Sequence, residues 1–168
     1  MDRIHEPELM DGVAQALAYA NADFEEAHSR FVAVFDETFP TREARGYVFD
    51  LGCDPGDITF RFARAHPECV VHGVDGSESM LSCGRPILED DEALAERVEL
   101  ILGRSPDARL PRSQYDAVIS NSLLHHLHDP SVLWETVNRC AAPGAPVFIM
   151  DLKRNVSEQP FVRATRPT

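Results

Sequence analysis

Positive charge is scarce in this sequence. Sixteen lysines and arginines stand against 28 aspartates and glutamates, for a formal net charge of −12. Non-specific nucleic-acid binding needs a basic surface that displaces counterions, so the excess of acid argues against a nucleic-acid partner. Cysteine is also sparse: Cys53, Cys69, Cys83 and Cys140 are far apart and form no CxxC pair. That argues against a disulfide framework and against a thiolate metal site. No apolar run approaches the roughly 20 residues of a membrane span. The first residues, Met1-Asp2-Arg3-Ile4-His5-Glu6, lack an apolar signal core. The expectation is a cytoplasmic protein with no membrane association. Repeats and low-complexity segments are absent as well.

What is present is enough for one domain. The chain has 168 residues and is 43% hydrophobic, so it can enclose a sizeable core and is not expected to be disordered. Residues 1–45 read as an N-terminal helical extension. A loose helix is expected over Glu8–Tyr19. A second helix begins at Phe24, with Asp23 as its cap and Glu26 as a capping-box partner. Phe24, Ala27, Phe31, Val34 and Phe35 fall on one face at helical spacing. That face serves either as packing surface or as a lid over a pocket, and spacing alone does not separate the two.

From Gly46 the pattern changes to strands alternating with helices. The strands read Tyr47–Leu51, Cys69–Val74, Val98–Leu102, Tyr115–Ser120 and Ala145–Met150. Helices are expected over Ile58–His66 with Asp57 as cap, from Ser77 through Met80 and Leu81 until Pro86 cuts it short, over Glu92–Arg97, and near Ser131–Cys140. Strands apolar on both faces and alternating with helices predict an α/β fold with a doubly wound, mainly parallel sheet. Residues 46–152 form this core and residues 153–168 a C-terminal tail.

In such sheets ligands bind beyond the carboxyl ends of the strands. The first of these ends is Asp50-Leu51-Gly52-Cys53-Asp54-Pro55-Gly56. Its glycine spacing matches neither GxGxxG nor the phosphate-binding GxxxxGK[ST] loop, so a nucleotide-dependent oxidoreductase is a weak reading. The loop resembles the D/ExGxGxG first motif of class I S-adenosyl-L-methionine (SAM)-dependent methyltransferases, with Asp54 in place of the middle glycine. The second strand and its end, Val70–Ser77, the fourth strand with Leu124-His125-His126-Leu127, and the helix, Pro143-Gly144 turn and strand from Trp134 to Met150 extend the resemblance. Together they span Tyr47 to about Leu152.

The resemblance implies a Rossmann-like methyltransferase core that binds SAM and releases S-adenosyl-L-homocysteine (SAH). It implies methyl transfer to a small-molecule acceptor, with a non-catalytic SAM- or nucleoside-binding relative as the alternative. Asp50, Gly52, Cys53, Asp54 and Gly56 would face the methionine part of the donor. Asp75 would hold the ribose, whose two hydroxyls suit the two oxygens of a carboxylate. Gly76 and Ser77 would lie against adenine, with Arg104 and Ser105 near its amino group and Asn121 near the methyl group. An aspartate at position 54 is expected to crowd the donor's methionine end. His125 and His126 are candidate bases for an acceptor that must lose a proton, and equally residues that line the pocket. No metal site is expected, because adjacent histidines chelate poorly. Related enzymes continue past the fifth strand. A sheet ending there would leave an exposed edge open to self-association as a homo-oligomer. The basic tail, with four bases and one acid in residues 152–168, reads as a solvated end.

Overall fold

The computed structural model describes residues 9–40 and 44–151, and the backbone of residues 161–165. Two helices come first, α1 (Val13–Ala20) and α2 (Glu25–Thr38). They are followed by β1 (Gly46–Leu51), α3 (Asp57–Ala65), β2 (Cys69–Asp75), α4 (Glu78–Asp90), α5 (Glu92–Ala95) and β3 (Val98–Leu102). The chain ends with β4 (Ala117–Asn121), α6 (Ser131–Cys140), β5 (Val147–Asp151) and β6 (Phe161–Thr165). The six strands lie in the order β3-β2-β1-β4-β5-β6. The first five are parallel, and β6 runs antiparallel to β5.

Successive side chains of the central strands go to opposite faces, as a period of two requires. Val48, Ala117, Ile119, Phe148 and Met150 join α2 and α3 in one core, built around Phe31, Phe35, Phe60 and Phe62. Phe49, Val118, Val147 and Ile149 face the other way and pack with Leu133 and Val137 of α6. Both faces of the sheet are covered, which explains why these strands read as continuous apolar runs.

Several local expectations need correction. Asp57 does not cap α3. Gly56 occupies the cap position in the left-handed region (φ 94°), and Asp57 is the first helical residue. Pro86 does not end α4, which runs on to Asp90. The proline forfeits one N–H bond, but Ser77 caps the helix by accepting from the Met80 N–H. Leu88, beyond the proline, packs on the core, so tertiary burial outweighs the local penalty. α2 begins at Glu25, one residue later than expected, and Phe24 rather than Asp23 holds the cap position, although Asp23 still accepts from the Glu25 N–H at 3.1 Å. The sheet does not stop at β5, and residues 161–165 are not a solvated end. They pair along β5 from Val147↔Thr165 to Asp151↔Phe161 and satisfy the edge that strand five would otherwise present. The reason for expecting self-association at that edge is thereby removed. Glu8 and the Lys153-Arg154 part of the basic tail lie outside the described residues. Among the described residues, no helix is long and apolar enough to cross a membrane.

Candidate functional site

β1 and β4 are neighbours in the sheet, yet the chain leaves them toward opposite flanks. Their carboxyl ends therefore diverge and leave a crevice. Two cavities meet there. Gly52, Asp54 and Asn121 line both.

The first cavity runs from this junction over the end of β2. Asp75, Gly76, Ser77, Arg104, Ser105 and His126 line it. Asp75 is fixed by two backbone donors: the Ser77 N–H reaches Oδ1 at 2.8 Å and the Asp54 N–H reaches Oδ2 at 2.9 Å. Burial raises its pKa, and these two bonds oppose the rise. The orientation is thus set by the protein while the carboxylate keeps lone pairs for a ligand. The Ser105 hydroxyl is buried and has no hydrogen-bond partner among the described residues. Ser77 donates its hydroxyl to the Met10 carbonyl at 2.9 Å, and Ser79 to the Asp11 carbonyl at 2.8 Å. The segment before α1 is so tied across the cavity mouth. Leu9 lies over Gly76 closely enough that a Cβ there would sit 2.6 Å from its side chain.

The loop after β1 makes its turn through the left-handed region, with φ 74° at Gly52, 52° at Asp54 and 94° at Gly56. A Cβ on Gly52 would also come within 2.9 Å of Leu123, so glycine is required there twice over. Aspartate tolerates this region better than most residues, and the turn survives at Asp54. Gly56 lines neither cavity. Its place is the turn into α3, packed against Phe60 and Leu100.

The second cavity extends from the loop under the first two helices. Asp50, Cys53 and Asp57 line it from the sheet side, and Tyr19, Phe24 and His28 from α1, α2 and the turn between them. Asp50 is 2% exposed and accepts from the Thr59 hydroxyl at 2.6 Å. Burial, reinforced by the nearby charge of Asp75, pushes its carboxyl up to about 7. Burial and Asp75 also push Asp54 up to about 7. The Tyr19 hydroxyl donates to Asp54 Oδ2 at 3.1 Å; burial and the Asp54 charge raise the phenol and keep it a donor.

Asn121, at the end of β4, is followed by Ser122, a non-glycine residue with φ 58°. Such strain is tolerated where the surrounding structure enforces it, often at functional sites. His125 and His126 separate. His126 lines the first cavity. His125 bonds through Nδ1 to Asp151 Oδ1 at 2.7 Å, and its N–H reaches Asp151 Oδ2 at 3.2 Å. Among the described residues, no three histidines, cysteines or acids group to hold a metal ion.

The methyltransferase domain family matches residues 49–147. The chain belongs to that family. Its fold is that of the class I SAM-dependent methyltransferases. The chain is 31% identical over 121 residues to trans-aconitate 2-methyltransferase of Azoarcus sp., a match covering 72% of this chain and 44% of that protein. It is 25% identical over 140 residues to norajmaline N-methyltransferase of Rauvolfia serpentina, covering 82% of this chain and 45% of that protein. The matched region thus spans less than half the length of these relatives. The structure of phosphoethanolamine N-methyltransferase 2 of Haemonchus contortus, in complex with SAM, superposes with a TM-score of 0.69 at 20% identity, covering 88% of this chain and 35% of that one.

Of the residues singled out from the sequence, Asp50, Gly52, Cys53, Asp54, Asp75, Gly76, Ser77, Arg104, Ser105, Asn121 and His126 line one or both cavities, and Gly56 and His125 line neither. Tyr19, His28, Leu9 and Met10 were not indicated by any motif. They come from the segment before residue 49, where the family match has not begun. The signals near them are the helical face of α2 and the loose helix expected over Glu8–Tyr19, which the structure forms only from Val13.

Proposed function

We propose that this methyltransferase domain binds SAM and directs its methyl group to a small-molecule acceptor. The arrangement of Asp75 carries the reading: a strand-end carboxylate, aimed by two backbone N–H groups, opens onto a cavity that meets a second one at the sheet's switch point. The site suits the donor's chemistry. Asp75 would accept from both ribose hydroxyls, and the unpartnered Ser105 hydroxyl would answer the adenine edge. Asp50 and Asp54 would face the ammonium and sulfonium charges. Cys53, Gly76, Ser77 and Arg104 would complete the walls.

When bound, the donor supplies an already activated methyl group on sulfur. The chain's own residues then have to align the acceptor and exclude water, and alignment supplies much of the rate. Asn121 lies where the two cavities join. Of the two candidate bases, His126 lines the first cavity and would be the one placed to take a proton from an acceptor that must lose one, while His125 is held by Asp151 outside both cavities. One relative is named for trans-aconitate and another for an N-methylation, so their names leave the acceptor class open.

Asp54 and a sheet stopping at the fifth strand are the two grounds for the non-catalytic alternative. β6 removes the second, while Asp54 still lines both cavities, and SAM turnover is what tests the first. Titration of the protein with SAM and SAH by calorimetry, followed by mass-spectrometric detection of SAH formed with an acceptor panel, tests the proposal. No binding of either compound would overturn it.

A further inference from the structure

We propose that the acceptor is a cationic, amine-bearing small molecule, received in the second cavity beneath α1 and α2. The proposal deepens the methyl-transfer reading and rests on it. Three observations converge on this cavity.

The first is its charge. Asp23, Glu25, Asp50, Asp54 and Asp57 line it, against Arg61 and His28. Arg61 is already committed: it reaches both Glu25 oxygens at 2.9 and 2.7 Å and Asp57 at 2.8 Å. The donor's methionine end adds a sulfonium, an ammonium and a carboxylate, one positive charge in sum. Five carboxylates against one guanidinium therefore remain in excess with the donor in place. With Asp50 and Asp54 holding their protons and His28 neutral, Asp23, Glu25 and Asp57 still exceed Arg61 and the donor's net charge by one. A polycarboxylate acceptor would meet repulsion throughout.

The second observation is His28. Its side chain is 9% exposed, and its Nδ1 lies 2.6 Å from Asp57 Oδ2. Nε2 has no hydrogen-bond partner among the described residues. With the Nδ1 proton donated to Asp57, Nε2 offers a lone pair to an N–H donor. A protonated amine is the complementary group, carrying several N–H donors and the charge that the surrounding carboxylates favour.

The third is aromatic. The Phe24 ring stacks on His28 at 5.1 Å and lies 4.9 Å from the Tyr19 ring, and all three line the cavity. Aromatic faces attract cations and accept an apolar body beside them.

The test uses the full chain. SAH binding is first measured by calorimetry, so that a failure of the donor reading shows by itself. The SAH-loaded protein is then titrated with phenethylamine and with 3-phenylpropanoate, matched in ring and chain, by NMR at pH 7.5. The amine is expected to bind at least tenfold more tightly than the acid. Asp23→Asn combined with Glu25→Gln keeps an acceptor for the backbone N–H of residue 25 and removes two charges; it should weaken amine binding about fivefold or more. His28→Phe keeps the aromatic stack, removes the lone pair and should weaken the amine to a similar extent. SAH affinity measured alongside shows that each variant is folded. Equal or tighter binding of the acid, binding of neither probe, or variants that leave the amine's affinity unchanged would overturn the proposal.

Discussion

Asp50 and Asp54, both raised chiefly by burial, impose a pH dependence opposite to that of an ordinary ion-paired carboxylate. Each carboxyl moves from an ordinary 3.8 to about 7 in the folded chain, chiefly through burial. Between those values the folded state binds more protons than the unfolded one, so these two groups make stability fall as pH rises from about 4 to about 7. Thermal melts of the ligand-free protein across that range should show the decline, and Asp54→Asn should flatten it. A cationic donor reverses the balance by favouring the ionised forms. SAM affinity should therefore rise from pH 6 to pH 8, with proton release visible as a buffer-dependent binding enthalpy. Asp75→Ala removes charge-assisted hydrogen bonds worth about 1.5–3 kcal/mol each. At least a tenfold loss of SAM affinity is expected in calorimetry, with the fold retained. Asp50, Gly52 and Asp75 were legible in the sequence because each adjoins a strand end, where chain position alone places it at the crevice. Tyr19 and His28 were not, because their partners Asp54 and Asp57 lie 35 and 29 residues away and only tertiary packing brings them together.

At the level of single elements, α4 carries two opposed lessons. Pro86 sits inside it without an N–H to give, a cost of up to about 3 kcal/mol in a helix interior. Pro86→Ala should raise the melting temperature by a few degrees, at about 2–4 °C per kcal/mol for a chain of this size. Gly84, two residues earlier, would also gain helix propensity as alanine, by about 1 kcal/mol. A Cβ there, however, would stand 1.9 Å from the Pro55 carbonyl oxygen. The clash is with backbone, so α4 or the loop after β1 must shift, and overpacking costs typically 1–3 kcal/mol or more. Gly84→Ala should lower the melting temperature and weaken SAM binding together, which differential scanning fluorimetry with and without SAM would register. Strand β3 is legible in the sequence to its residues, Val98–Leu102, and helix α6 is placed near the Ser131–Cys140 that it occupies. The extent of α4 was misjudged because a local breaker was weighed without the packing that overrides it.

For the molecule as a whole, the sheet's outer side is decided by β6. Parallel alternation of strands and helices could be read from apolar runs alone. An antiparallel closing strand could not, since residues 161–165 gain their structure from pairing with β5. Removing residues 152–168 should expose the β5 edge across Val147–Asp151 and make the protein associate with itself. Light scattering over a concentration series, compared with the full chain, is the measurement; a truncated form that stays monomeric would show that the edge is protected by other means.

The hydrogen bond from the Asp54 N–H to Asp75 joins the loop after β1 to the end of β2 before any ligand arrives. The two halves of a donor would thus enter a preorganised frame in which one loop already sets the register of the other. Ordering cost is removed from the binding step, and an adenosine fragment alone should find its ribose-binding carboxylate in working position. By the same linkage, strain introduced in the glycine turn would be felt at the nucleoside end, so the two ends of the site behave as one mechanical unit.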